Sequence, residues 1–155
     1  MRMESMTSGF ADWLARIQDE QRTVGEHVEP PASEHEIAAL AALTQAEFGA
    51  ALPEAYAAFL RRADGLDFNG TALYATRERQ REGMLLFGLP EQNRGFRAGQ
   101  DRRHLLLGET GDELFAQDVA AGHFVMLDRG SLSEIERFAD GEALLARVLQ
   151  RAFES

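Results

Sequence analysis

The order of the hydrophobic patterns along this chain most constrains what it can fold into. From residue 8 to residue 64, apolar residues recur at the three- and four-residue spacing of amphipathic helices. After Gly65 the pattern changes to short apolar runs bounded by turn residues such as Asn69-Gly70, which is typical of strands. A last helical pattern follows Asp140. Helices, then strands, then one helix predict an α+β fold rather than the alternating order of an α/β protein.

Start and stop signals define the predicted helices. Ser8 can cap a first helix, whose apolar stripe consists of Phe10, Trp13, Leu14 and Ile17. The segment Ser33-Glu34-His35-Glu36 has the capping-box pattern and predicts the start of a second helix. Leu52-Pro53 opens a third, and Gly65 stands where a left-handed C-cap is expected. Asp140 caps the last helix. The buried positions predicted for the third and last helices are Tyr56, Phe59, Leu60, Leu144, Leu145, Val148, Leu149 and Phe153.

Three short strands joined by two tight turns are predicted in the second half of the chain. They are residues 104–108, 113–118 and 123–128, with turns at 109–112 and 120–122. This arrangement predicts an antiparallel β-meander. Residues 71–76 and 84–89 are predicted as further strands. Residues 90–103 hold two glycines and no apolar periodicity, so they are interpreted as a long exposed loop.

The balance of charge argues against two classes of partner. The chain holds 26 acidic and 16 basic residues, giving a net charge of −10, and every one of the basic residues is arginine. Binding to nucleic acid or to anionic lipid draws on cationic side chains, so neither is expected. A cationic protein partner is compatible with this charge, because a negative field accelerates its approach. An acidic surface that merely keeps the protein soluble is the alternative interpretation.

Length and composition indicate one domain in the cytoplasm. A chain of 155 residues is the size of an ordinary domain, and residues 1–30 are assigned to an N-terminal helix and linker. The chain has no cysteine, which fits a reducing compartment and excludes disulfides. The N-terminal segment lacks the apolar stretch of a signal peptide, and no segment approaches the roughly 20 apolar residues of a membrane span.

Residue patterns that carry catalysis or bind cofactors are not found. Without lysine there is no phosphate-binding Gly-x-x-x-x-Gly-Lys loop and no Schiff base, and no Gly-x-Ser-x-Gly elbow occurs. No pair among His27, His35, His104 and His123 has the helical spacing of a zinc motif, although His104 and His123 are expected near one end of the sheet. No cofactor and no metal are therefore predicted. An enzyme that uses an unrecognised carboxylate or histidine site stays open as a third alternative.

Four segments of the chain form an ordered set of motifs. They are Leu52-Pro53-Glu54-Ala55-Tyr56-Ala57-Ala58-Phe59-Leu60 with Asp64-Gly65, the glycine-rich turn from Leu107 to Phe115, the strand from Gly122 to Asp128, and Asp128-Arg129 with Ile135-Glu136-Arg137-Phe138. Together they resemble the SUKH superfamily, and the resemblance extends over residues 33–153. The segment Asp128-Arg129 with Ile135-Glu136-Arg137-Phe138 is similar to its bacterial YrhA-like branch in particular.

This resemblance implies an α+β fold and a protein-binding role. Many bacterial members are immunity proteins that neutralise secreted polymorphic toxins, often nucleases, whereas eukaryotic members are regulatory or scaffold proteins. The superfamily brings no catalytic residues to this chain. We therefore expect an immunity-type protein, with a regulatory or scaffold module as the alternative. The motif residues also have a structural interpretation, in which Gly65, Gly108 and Gly111 supply turns that need positive φ.

Candidate partner-binding residues come from two groups. The acidic group consists of Asp64, Asp67, Glu109, Asp112, Glu113, Asp118 and Asp128. Most of these flank predicted turns, where aspartate commonly accepts hydrogen bonds from backbone amides, so a solvated rim is one interpretation. The other is an acidic face that covers the cationic cleft of a toxin such as a nuclease. The second group is Arg94, Phe96 and Arg97 in the predicted loop, where Phe96 could anchor a partner and the arginines could instead be paired internally.

Overall fold

A computed structural model describes residues 9–99 and 101–155, and in these residues the α+β prediction is confirmed. The helices are α1 (Phe10–Thr23), α2 (Glu34–Phe48), α3 (Glu54–Leu60), α4 (Leu89–Arg97) and α5 (Gly141–Glu154). The strands are β1 (Leu66–Phe68), β2 (Thr71–Leu73), β3 (Arg79–Arg81), β4 (Met84–Leu86), β5 (His104–Glu109), β6 (Glu113–Asp118), β7 (Phe124–Asp128) and β8 (Glu134–Phe138). None of the described helices is long and apolar enough to cross a membrane.

Six strands form one antiparallel sheet in the order β1-β2-β5-β6-β7-β8. The predicted meander is its centre, β5-β6-β7, with Leu106 opposite Ala116 and Glu113 opposite Asp128. Strand β8 extends the meander on one side, and β2 joins β5 on the other. Strands β3 and β4 form a separate two-stranded ribbon. The predicted strand within 84–89 is thus confirmed as β4, but outside the main sheet.

Helices α1 and α5 pack against each other beside the sheet. The backbone N–H of Phe10 donates a hydrogen bond of 2.7 Å to Glu142 of α5, and the Trp13 and Phe153 rings lie 6.0 Å apart. Helix α5 also contacts β7 and β8. The apolar stripe of α1 is therefore covered by the other end of the chain. Gly9 precedes the helix, whereas the predicted cap, Ser8, lies outside the described residues.

The predicted caps of α2 and α5 are confirmed. The Ser33 hydroxyl accepts a hydrogen bond from the Glu36 amide at 3.0 Å, and the Glu36 carboxylate accepts one from the Ser33 amide at 2.8 Å. At the start of α5, the Asp140 carboxylate accepts a hydrogen bond from the Ala143 amide at 2.8 Å. Each of these contacts involves residues three apart, which is why the local sequence predicts it.

Tyr56 joins α3 to the sheet. Its fully buried hydroxyl lies within hydrogen-bond distance of the carbonyl oxygens of Tyr74 and Leu107. This explains the tyrosine of the leucine-proline motif as a structural link. Gly65 does have positive φ (94°), but α3 ends at Leu60, so the prediction of Gly65 as its C-cap is wrong.

The prediction of a long loop over residues 90–103 is wrong for its first half, which is α4. Leu89, Pro90 and Asn93 of this helix are buried. The Asn93 side chain accepts a hydrogen bond from the Leu106 amide at 2.8 Å and donates one to the Leu106 carbonyl at 2.9 Å, which ties α4 to β5. Helical periodicity missed the segment because a polar residue occupies its most buried position.

Gly108 and Gly111 do not have the positive φ that the sequence suggested. At Gly108, in β5, an added Cβ would lie only 2.5 Å from the Ala72 carbonyl oxygen and 2.8 Å from the Leu73 side chain. Glycine is required there because β2 approaches β5 closely. A Cβ at Gly111 would meet no atom of the described residues within 4 Å, apart from its two chain neighbours.

Candidate functional site

A cleft of about 520 Å³ lies between α4 and the turn that joins β7 to β8. Leu106 of β5 and Leu114 of β6 line it from the sheet, and Phe96 of α4 and Leu132 of the turn line it from the sides. Its polar lining includes Glu91, Asp101, Glu109 and Arg129. We call it the α4 cleft. Its lining is therefore part apolar and part charged, and a concave site that combines both kinds of group is a candidate binding site.

Glu109 of the α4 cleft is held at both of its carboxylate oxygens. The Tyr74 hydroxyl donates a hydrogen bond of 2.6 Å to one carboxylate oxygen, and Arg129 donates one of 2.9 Å to the other. Burial, together with the neighbouring Glu109 carboxylate, raises the pKa of Tyr74 far above its ordinary value, so the phenol keeps its proton. Each carboxylate oxygen retains a lone pair that can accept a further hydrogen bond from a cationic group. The side chain is pre-ordered for that contact.

Leu132 has an unusual backbone conformation for its residue type. Its φ is 60°, in the left-handed region that residues other than glycine rarely adopt. Its side chain lines the α4 cleft and is 37% exposed. The Asp128 carboxylate holds the turn by accepting hydrogen bonds from the Gly130 and Ser131 amides, and these bonds lower the pKa of Asp128, the Ser131 amide contributing most. Residues in this backbone conformation cluster at functional sites, so Leu132 makes the α4 cleft a candidate site.

Three other acids of the predicted group lie at the same end of the sheet as Glu109. Asp112 and Glu113 belong to the β5–β6 turn and the start of β6, and Asp128 lies opposite Glu113 on β7. Glu113 already pairs with Arg151 of α5 at 2.6 Å, whereas Asp112 is exposed. The sequence thus placed these acids at one end of the sheet, although it gave no sign that Arg151 pairs with Glu113. We call Asp112, Glu113 and Asp128 the acidic edge.

The remaining predicted acids are elsewhere. Asp64 is buried and accepts hydrogen bonds from the Thr76 amide and hydroxyl and from Arg79, at 2.8, 3.0 and 2.8 Å. Asp118 is 1% exposed and accepts hydrogen bonds from the Ala121 amide and from Arg103. Burial removes Asp64 and Asp118 from any solvent-facing surface, so interpreting them as part of a rim is wrong. Asp67, on β1, lines a different cavity.

The arginines of the 90–103 segment are bonded within the protein, as one of the two interpretations expected. Arg94 pairs with Glu47 of α2. Arg97 lies over the Phe48 ring, with 5.1 Å between guanidinium and ring centre, and donates hydrogen bonds to the carbonyls of Phe48 and His104. Of the candidates in this segment, Phe96 alone lines the α4 cleft.

The histidines offer no metal site in the part of the chain that the structure describes. His104 lies opposite Asp118 in the sheet, and the His123 carbonyl accepts a hydrogen bond from the Asp118 amide, so the two histidines are at one end of the sheet as predicted. Across residues 9–99 and 101–155, no three histidine or carboxylate side chains form a group that could hold a metal ion.

The sequence missed Tyr74, Arg129 and Leu132 of the α4 cleft. Tyr74 follows β2 and looks like one more apolar strand residue, and Leu132 stands alone in a polar turn. Arg129 was noted only for the family resemblance. A comparison with known protein families and one with curated protein sequences both find no match to this chain.

Proposed function

We propose that this protein is a protein-binding module of the immunity type, which neutralises a cognate toxin by direct binding through the α4 cleft and the acidic edge. The α4 cleft carries the proposal, because it joins an apolar lining to a carboxylate that is already held in place. The resemblance of the ordered segments to the SUKH superfamily supports the immunity role. The α+β architecture is the one that this resemblance implies.

The α4 cleft suits a partner segment with one apolar and one cationic side chain. The apolar side chain would lie among Phe96, Leu114 and Leu132, and the cationic group would reach Glu109 from the solvent side. Desolvated apolar anchors flanked by complementary charge account for most of the affinity at protein interfaces. Binding here would block the partner sterically and needs no turnover.

The surplus of acidic residues contributes to the rate of association. The net charge of −10 attracts a cationic domain over a distance set by the ionic strength. The screening length is about 10 Å at 0.1 M salt and about 3 Å at 1 M, so the association rate with a cationic toxin should fall as salt rises. An association rate that does not change with salt would remove the electrostatic part of this proposal.

Affinity capture from the native organism with matched variants tests the proposal. Leu132→Asp places a charge in the α4 cleft, whereas Ile135→Asp places the same charge on β8, at a residue that is 52% exposed and outside the cleft. We expect a toxin-bearing protein to be captured by wild type and by Ile135→Asp, and lost with Leu132→Asp. Co-expression should then rescue growth from that toxin only with the variants that bind it.

Other outcomes of this experiment decide between the alternatives. Equal capture by both aspartate variants would show that the partner does not use the α4 cleft. Capture of a protein without toxic activity, lost with Leu132→Asp, would replace the immunity role with a regulatory or scaffold role at the same site.

A further inference from the structure

The turn between β1 and β2 consists of Asn69 and Gly70, and the strands it joins are paired at Phe68 and Thr71. Both turn residues are exposed, and both have positive φ, 50° for Asn69 and 80° for Gly70. Asparagine and glycine tolerate this conformation, which is why the pair forms two-residue hairpin turns. Neither residue lines the α4 cleft, so the chemistry of the turn does not depend on the function proposed for that cleft.

The backbone nitrogen of Gly70 is open to reaction. Its N–H donates no backbone hydrogen bond within the part of the chain that the structure describes. A Cβ at Gly70 would meet no atom of the described residues within 4 Å, apart from its two chain neighbours. Because glycine has no Cβ, no side chain of its own shields this nitrogen from the side chain of Asn69.

The Asn69 side chain makes one hydrogen bond with the described residues. Its amide nitrogen donates to the Ala152 carbonyl of α5 at 3.1 Å. The Ser155 hydroxyl donates to the same carbonyl at 3.0 Å, so Ala152 keeps a donor when Asn69 turns away. The contact lies in the last turn of α5, where helices fray. The side-chain amide is therefore held only intermittently and can turn toward Gly70.

We propose that Asn69 is a site of spontaneous deamidation, in which the Gly70 nitrogen is the nucleophile. This nitrogen gives its proton to hydroxide and forms a bond to Cγ of Asn69. The bond from Cγ to Nδ2 breaks, and the side-chain nitrogen takes a proton from water and leaves as ammonia. Water then opens the five-membered imide. Cleavage of the new bond to Cγ gives aspartate, whereas cleavage of the bond to the backbone carbonyl gives isoaspartate.

Either product breaks the link between this turn and α5. A carboxylate cannot donate to the Ala152 carbonyl, and it adds negative charge at the negative end of the α5 dipole. Arg151, in the same turn of the helix, already pairs with Glu113 at 2.6 Å. Isoaspartate also lengthens the backbone of a two-residue turn, whose length sets Phe68 opposite Thr71. We therefore expect the deamidated protein to be less stable.

Incubation of the intact wild-type protein at mildly alkaline pH, followed over time by digestion and mass spectrometry, tests the proposal. The chain contains two asparagines, and the second, Asn93, is fully buried and followed by Arg94, so it is an internal control. We expect the peptide with Asn69 to gain about one dalton and to become a substrate of protein isoaspartate methyltransferase. The conversion should be faster at higher pH, while the peptide with Asn93 stays unchanged. This comparison needs no variant.

Variants then test the nucleophile and the link to α5. Gly70→Ala places a Cβ beside the nitrogen and should slow the conversion about tenfold. Gly83→Ala, at the same φ of 80° in the turn of the β3–β4 ribbon, should not slow it. Asn69→Asp is identical to one product and should lower the urea midpoint, whereas Gln80→Glu, which adds the same charge at an exposed position of β3, should not.

The outcomes separate the two parts of the proposal. No conversion at Asn69, equal conversion of Asn93, or equal slowing by the two alanine substitutions would overturn the assignment of the site. A wild-type midpoint for Asn69→Asp would overturn the link to α5.

Discussion

Replacing Asn93 by alanine tests how α4 is held on the sheet. Asn93 is fully buried, and its side chain bonds both the N–H and the C=O of Leu106, at 2.8 and 2.9 Å. It also donates to the Leu89 carbonyl at 2.9 Å. Strand β2 pairs with Gly108 and Glu109 but not with Leu106, so the Asn93 amide serves Leu106 in place of a neighbouring strand.

The expected loss of stability follows from the groups that alanine leaves unpaired. Each buried backbone group without a partner costs about 1–3 kcal/mol, so the two Leu106 groups together give about 2–6 kcal/mol. Water can enter the space that the amide leaves, which favours the lower half of that range, about 2–4 kcal/mol. Aspartate at this position keeps the acceptor but loses the donor, so Asn93→Asp should be at least as destabilising as Asn93→Ala.

Urea unfolding measures this loss. The only tryptophan, Trp13, packs on Phe153 and reports loss of the α1–α5 contact by fluorescence, and circular dichroism follows the secondary structure in parallel. We expect a lower midpoint with an unchanged slope. Arg94→Ala, on the exposed side of the same helix, should leave the midpoint close to that of wild type. A change below about 0.5 kcal/mol for Asn93→Ala, the size expected of surface substitutions, would refute the role assigned to the amide.

Three further substitutions have expected effects on stability that the same unfolding assay measures. Asp64→Ala removes the carboxylate that pairs with Arg79 at 2.8 Å and leaves it only Glu29, at 3.8 Å. It should destabilise the fold by about 3 kcal/mol, the lower end of the range for breaking a buried pair, whereas near-wild-type stability would show that the pair is dispensable. Gly108→Ala forces β2 away from β5 and should lower the free energy of unfolding by about 1–3 kcal/mol. Gly111→Ala is its control, because a Cβ there meets no atom of the described residues within 4 Å apart from its chain neighbours. Equal effects of the two substitutions would contradict the close-approach explanation. The Ala121 amide, with a smaller contribution from Arg103, lowers the pKa of Asp118 below its ordinary 3.8. Asp118 therefore contributes its full stabilisation above pH 3.8, and this contribution is lost as the pH falls through the lower pKa of the folded state. The difference in unfolding free energy between wild type and Asp118→Asn should narrow over this pH range. A difference that stays constant would refute the prediction.

Sequence reasoning named two residues of the α4 cleft and the three acids of the acidic edge as candidates, but it did not predict the cleft itself. Phe96 and Glu109 were named as candidates and both line the cleft, and Asp112, Glu113 and Asp128 do lie together at one end of the sheet. Strand alternation and turn chemistry are local, so they place acids at the ends of strands without showing which arginines from other elements reach them.

The amino-acid sequence by itself determined the elements whose signals lie within a few residues of one another. The capping box at Ser33 and the cap at Asp140 act over three residues, and the bounds predicted for β6, residues 113–118, are the observed ones. Only the tertiary structure decided that Asn93 is buried while Asp112 is exposed. The reason is that a buried polar side chain is stable only with partners from distant parts of the chain, such as Leu106 for Asn93 or Arg79 for Asp64, and local periodicity carries no information about those partners.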